Sequence, residues 1–260
     1  MRLMQPIRIL YCHCARTAAA PPREVREAVL RRLAASGLPV EAVPDLCRLA
    51  ARKDPSLRRF AEGGPLAILA CAPRAVRWLF HAAGAPLPDD GVTILSLREP
   101  GAEGAVDALI GHVKPAGPAG NASFDGVAAE GAPEPPAWFP VLDFGRCTHC
   151  RQCVSFCLFG VYEVSGGRVR VVQPEACKPD CPACARVCPE GAILFPKFPH
   201  APVNGADGGT VAEAVAKIDL SALLGGGVYA ALKDRGAGPR RRFAVGPSAP
   251  PRPPDEGRPA

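Results

Sequence analysis

Eight of the twelve cysteines in this 260-residue sequence fall in two short runs. Cys147, Cys150, Cys153 and Cys157 are spaced by two, two and three residues; Cys177, Cys181, Cys184 and Cys188 by three, two and three. Thiolates are soft ligands that suit zinc and iron–sulfur clusters. Three of them on one tight loop can grip three corners of a four-iron cube. The fourth, expected to start a helix that leads away, then serves a second cube. Zinc is the competing chemistry. Zinc ribbons, however, pair two C-x2-C knuckles about 15–20 residues apart, whereas 27 residues separate Cys153 from Cys181 and four cysteines would be left idle. His149 and Arg151, between the ligands, read as surface residues that could tune a cluster.

These runs resemble the bacterial two-cluster [4Fe–4S] ferredoxin family over about residues 140–199. The resemblance implies an α+β ferredoxin-like domain with two [4Fe–4S] clusters. Carried over residue by residue, Cys147, Cys150, Cys153 and Cys188 would hold one cluster, and Cys177, Cys181, Cys184 and Cys157 the other. Two positions depart from the family pattern. Leu158 follows Cys157 where proline is usual, and the second run opens with three intervening residues instead of two. Neither removes a ligand. Residues 140–199 contain seven Lys/Arg and five Asp/Glu, and two four-thiolate clusters would bring the module to about −2. That modest charge fits a tethered electron-transfer role.

The other four cysteines, Cys12, Cys14, Cys47 and Cys71, lie in the first 71 residues. Each follows, or nearly follows, an expected strand. In an open parallel sheet the carboxyl ends of the strands share one edge, where sites are built, so the four thiols are expected to converge. Cys47 and Cys71, each near an expected helix start, are expected to have lowered pKa values. The segments around Cys12–Cys14, Asp45–Cys47 and Ala70–Arg74 are similar to the N-terminal iron–sulfur domain in the flavin-binding subunit of heterodisulfide reductase. That resemblance, over about residues 7–80, implies an additional [4Fe–4S] cluster. From the residues themselves, zinc, redox-active thiols and plain burial stay open beside it. No G-x-G-x-x-G follows a strand, so the flavin-binding part of that subunit has no counterpart here.

The elements that must position these cysteines can be read from periodicity. Ile7–Tyr11, Val40–Val43, Leu66–Ala70 and Val92–Leu97 read as short strands. Val25, Val29 and Leu33 mark one face of a helix. Asp45 is a candidate N-cap for a helix running towards Asp54, Pro73 a first helical residue leading to His81, and Ala105–Val113 a short helix. This alternation predicts a small parallel sheet covered by helices. In the second module, Val161–Val164 and Arg168–Val172 flank a Ser165-Gly166-Gly167 turn and predict a hairpin. An amphipathic segment is expected at Val211–Leu223.

The expected organisation is a small α/β domain with four cysteines at 1–114, a Pro/Gly/Ala linker at 115–137, a two-cluster ferredoxin domain at 138–199, and a partly helical, otherwise disordered tail at 200–260. Hydrophobic residues are 48% of the chain, enough to bury cores. The longest apolar stretch, Leu66–Ala72, is far short of the roughly 20 residues of a membrane span. No secretory signal pattern follows the N-terminus, so a cytoplasmic location is expected. The net charge of +6 is too diffuse to point to nucleic acid. No serine triad, phosphate loop or carboxylate pair suggests a stand-alone catalyst. The expectation is an iron–sulfur electron carrier or electron-transfer subunit. Its donor and acceptor would be redox proteins, with a flavin-containing or heterodisulfide-reductase-like complex as one candidate. The alternative is a thiol-based redox sensor or disulfide oxidoreductase using the N-terminal cysteines.

Overall fold

Four short apolar strands, β1 (Arg8–Cys12), β2 (Val40–Val43), β3 (Leu66–Ala70) and β4 (Val92–Ser96), pair in parallel in the order β2-β1-β3-β4. In this computed structural model the described residues are 7–14, 17, 19–113 and 137–208. The expected linker, nearly all of it, and the amphipathic segment at Val211–Leu223 lie outside them. Strand residues alternate between faces. Ile9 and Tyr11 therefore pack on one side with α1 (Arg23–Ala35) and α5 (Ala102–His112) through Val29, Leu33 and Val106. Leu10 and Cys12 face the other side with Ile68 and Ala70, against α2 (Leu46–Ala51), α3 (Ser56–Glu62) and α4 (Pro73–Ala82). Every residue of β3 is buried, as a central parallel strand requires.

The helix signals operate as expected. The Asp45 carboxylate accepts from the backbone N–H groups of Cys47 and Arg48, a side-chain N-cap. That helix ends at Ala51, short of Asp54, and a separate helix, α3, follows. Lys53, in a left-handed conformation with φ of 51°, breaks the chain between them, and Pro55 precedes α3.

The cysteine-rich module is built from β5 (Val141–Leu142), α6 (Gln152–Phe156), the hairpin β6 (Tyr162–Ser165) and β7 (Arg168–Val171), α7 (Ala183–Val187) and β8 (Ile193–Leu194). β5 pairs antiparallel with β8, and β6 with β7. The hairpin turn is Gly166-Gly167, both at positive φ, the requirement of a tight two-residue loop. The five-residue helices occupy equivalent places in the two cysteine runs, and each ends at its fourth cysteine. The helix thus precedes Cys157 and Cys188 instead of starting from them. With three residues between third and fourth cysteines, one helical turn is what fits.

The two modules are packed together. Phe139, Val141 and Leu194 belong to the same buried core as Leu79 and Phe80 of α4. Arg74 Nε donates to Asp143 Oδ2 at 2.6 Å, and its Nη2 to the Gly191 carbonyl at 2.8 Å. Asp45 is paired with Lys197, from beyond β8. At the start of the expected tail, Val203 is buried in the core of the cysteine-rich module, and Ala206 packs against the core that contains α4. Gly205, at φ +88°, approaches so closely that a Cβ there would stand 2.7 Å from Ala75 Cβ. Among the described residues no helix is long and apolar enough to cross a membrane.

Candidate iron–sulfur centres

The first cysteine run curls because two residues between its cysteines are left-handed. His149 has φ of 57° and Arg151 of 66°, a conformation that non-glycine residues adopt uncommonly and chiefly where surrounding structure enforces it. Cys147, Cys150 and Cys153, with Cys188 from the other run, line a single cleft. Burial pushes the Cys153 thiol up to about 11, and the negative charge of Cys188 adds to the rise. Burial also raises Cys147, and Cys188 again contributes.

The second set forms the same way. Burial lifts Cys177 to about 12, with repulsion from Cys181 and Cys157 behind it. Cys184 rises to about 12, again mainly by burial, with Cys177 and Cys157 contributing and Tyr162 working against the rise. Cys188 thus acts on the first run and Cys157 on the second. Cys153 also reaches Cys184, which places the two sets side by side. The long Cys177–Cys181 loop turns through Asp180 at φ of 58°. Leu158, where the ferredoxin pattern has proline, is 90% exposed, so the departure touches no core.

Donors stand ready at the sulfurs. Tyr162 Oη donates to Cys184 Sγ at 3.0 Å, and Ala192 N to Cys188 Sγ at 3.3 Å. Such hydrogen bonds favour electron-rich sulfur and set cluster potentials. His149, a residue between ligands, does more than lie on the surface. Its Nδ1 is 3.6 Å from Cys147 Sγ and accepts from Val169 N at 3.2 Å, which ties the ligand loop to the hairpin.

The four N-terminal cysteines come from the carboxyl ends of three adjacent parallel strands. Cys12 ends β1 and Cys14 follows it, Cys47 opens α2 after β2, and Cys71 follows β3. All four are buried in one core. Cys14 is lowered to about 6, first by its hydrogen bond with Cys12 and further by Lys197 and Arg98. Cys12 is pushed the opposite way by the same bond and by burial. Leu46 N donates to Cys12 Sγ at 3.3 Å. Cys47 and Cys71 are raised, Cys71 to about 11, and burial is the main cause for both. The expectation of lowered values at the helix starts is therefore corrected. Desolvation of a fully buried thiol outweighs the pull of a helix N-terminus.

Two cations that the spacing of cysteines did not signal complete this site. Arg98 follows β4, the fourth strand of the same sheet, and its charge acts on Cys14 and Cys71. Its Nη1 donates to the Pro196 carbonyl at 2.7 Å, while Nε and Nη2 are buried without a partner. Lys197, paired with Asp45, acts on Cys14 and Cys47. Arg98 was findable by the sheet-edge rule that located the cysteines. Lys197 was not, because only docking of the second module brings it there.

The donor sets fit iron–sulfur clusters: three groups of four thiols, with hydrogen-bond donors on individual sulfurs and, at the N-terminal group, buried guanidinium donors left unpartnered. Among the described residues no three His, Cys, Asp or Glu side chains gather tightly enough for a single metal ion.

Comparison with known proteins gives three similar chains. An uncharacterized ferredoxin of Methanocaldococcus jannaschii is 44% identical over 61 residues, 23% of this chain and 42% of that protein. A second uncharacterized ferredoxin of the same organism is 37% identical over 54 residues, 20% of this chain and 86% of that protein. The ferredoxin of Methanothermococcus thermolithotrophicus is 35% identical over 54 residues, 20% of this chain and 88% of that protein. The match thus spans under half the length of the first of these and most of the other two. No family model matches the chain.

Proposed function

The chain belongs to the ferredoxin family, and from that premise we propose that it is an electron-transfer protein with three [4Fe–4S] clusters in two docked modules. Cys147, Cys150, Cys153 and Cys188 hold one cluster, Cys177, Cys181, Cys184 and Cys157 the second, and Cys12, Cys14, Cys47 and Cys71 the third. What supports this reading is that Cys188 lines one cleft with Cys147, Cys150 and Cys153, while Cys157 acts electrostatically on Cys177 and Cys184. A bound [4Fe–4S] cluster supplies reversible one-electron transfer.

The chain's own residues do the rest. Burial raises Cys47, Cys71, Cys147, Cys153, Cys177 and Cys184, so loading these thiols releases protons. Tyr162 and the Ala192 and Leu46 amides donate to ligand sulfurs. Arg98 and Lys197 set positive charge beside the N-terminal thiols, Lys197 from the ferredoxin module. The third centre is supported by that convergence and by the likeness to the N-terminal domain in the flavin-binding subunit of heterodisulfide reductase. Three centres in one assembly suit a wire between a donor and an acceptor protein, with a flavin-containing or heterodisulfide-reductase-like complex as the partner class. The role is that of a subunit or tethered carrier working in the cytoplasm.

The hydrogen-bonded Cys12–Cys14 pair, with Cys14 lowered to about 6, favours a second reading. In it these two thiols form and break a disulfide, and the two electrons of its reduction come one from each ferredoxin cluster. Metal analysis of the anaerobically reconstituted full chain separates the readings. Three clusters require about twelve iron and twelve sulfide per chain, falling to about eight in Cys47→Ser. Eight iron in both, with a reversible Cys12–Cys14 disulfide, would establish the second reading. Stoichiometric zinc without labile sulfide would refute both.

A further inference from the structure

Between α2, α4 and β7 lies a cleft of about 610 Å³, inside the roughly 300–1,000 Å³ range of cofactor-sized sites. Its lining includes Lys53, Arg168 and Arg170 and two histidines, His81 and His149, but no Asp or Glu. Among the described residues, none of Lys53, Arg168 and Arg170 is in an ion pair. Glu163, which stands opposite Arg170 on the hairpin, is not within salt-bridge distance of it. The floor is apolar, with Phe139 and Leu142. One wall carries three neighbouring rings: the His81 and Phe144 ring centroids are 5.2 Å apart with planes tilted by 51°, and those of Phe144 and His149 5.9 Å apart, tilted by 38°.

Each feature narrows the ligand. Cations outside any ion pair, in a cleft whose own lining holds no carboxylate, recognise an anion, and Arg above all recognises phosphate. An aromatic wall over an apolar floor receives a flat ring by stacking, which is tolerant of ring identity. The size excludes a bare phosphate as the full occupant. We infer that this cleft binds a planar heteroaromatic ligand carrying a phosphate, its ring on the His81–Phe144–His149 wall and its phosphate on Arg168, Arg170 and Lys53. The wall ends at His149, whose Nδ1 is 3.6 Å from Cys147 Sγ. A redox-active ligand of this class would therefore lie beside the first cysteine set. Its closeness to a cluster rests on the proposed function; the binding does not.

Equilibrium dialysis of the full, reconstituted chain against FMN, riboflavin, AMP and inorganic phosphate tests it. FMN is expected to bind at least about tenfold more tightly than riboflavin, which lacks the phosphate, and than phosphate, which lacks the ring. The double variant Arg168→Gln/Arg170→Gln should weaken FMN by about tenfold or more, with iron content and circular dichroism unchanged. Should that variant fold poorly, His81→Ala should weaken FMN while leaving inorganic phosphate as it was. Binding of AMP as well as FMN supports the class; binding of FMN without AMP narrows it to larger rings. No retention of either nucleotide at millimolar concentration, or equal affinity for FMN and riboflavin, would overturn the inference. Iron measured in the same samples keeps the two proposals apart, since FMN binding by a chain that loads no iron would count against the clusters alone.

Discussion

Replacing Arg74 by methionine tests whether the docking of the modules is held by a buried charge pair. Arg74 and Asp143 have side chains only 16% and 7% exposed, and Arg74 also donates to the Gly191 carbonyl. Removing one partner leaves Asp143 buried and uncompensated, a change that typically costs about 3–5 kcal/mol. Two contacts soften it here. Gly145 N still donates to Asp143 Oδ1 at 2.9 Å, and Arg146, itself half exposed, lies 3.9 Å from Oδ2. The lower end, about 3 kcal/mol, is therefore expected. At roughly 2–4 °C per kcal/mol for a chain of this size, the apparent midpoint falls by about 6–12 °C. The assay is thermal unfolding of the reconstituted full chain, at one scan rate and matched iron content. In Arg74→Met/Asp143→Asn the charge is gone while the acceptor for Gly145 remains, so most of the loss should be recovered. A single variant within about 3 °C of wild type, or a double variant worse than the single, would refute the reasoning.

Removing positive charge beside the N-terminal thiols, by Lys197→Met or Arg98→Gln, should lower the potential of the cluster proposed there while the other two proposed clusters hold theirs. The reduced form carries more negative charge and loses more from the change; redox titration followed by electron paramagnetic resonance reads it. Tyr162→Phe removes the donor to Cys184 Sγ and should lower the potential of the cluster proposed there by roughly 60 mV, the equivalent of one hydrogen bond of about 1.4 kcal/mol. Gly205→Ala combines an unfavourable φ with a clash against Ala75. It should cost about 2 kcal/mol, read as a lower melting midpoint and faster amide exchange at 201–206.

Much of the sheet is legible in the sequence because parallel strands buried on both faces leave short apolar runs. Val40–Val43 and Leu66–Ala70 stand out with the bounds observed, and the Asp45 cap and Pro73 helix start are plain. α3 escapes because Asp54, Pro55 and Ser56 look like turn residues, and its apolar positions Leu57, Phe60 and Ala61 are few. The convergence of Cys12, Cys14, Cys47 and Cys71 follows from topology alone. Their protonation does not, because the degree of burial that raises Cys47 and Cys71 depends on docking by α4 and by the second module. The same docking brings Lys197 to Asp45 across 152 residues of sequence. No local pattern encodes such a contact.

Paired variants test the proposed crossing of the fourth cysteines most directly. Cys157→Ser and Cys188→Ser, each in the reconstituted full chain, can be compared by electron paramagnetic resonance after stepwise reduction. The expected result is that Cys157→Ser perturbs the signal assigned to the Cys177–Cys184 run by its sensitivity to Tyr162→Phe, while Cys188→Ser leaves that signal and perturbs another. If Cys188→Ser is instead the variant that alters the Tyr162-sensitive signal, each run holds its own cluster and the crossed assignment is wrong.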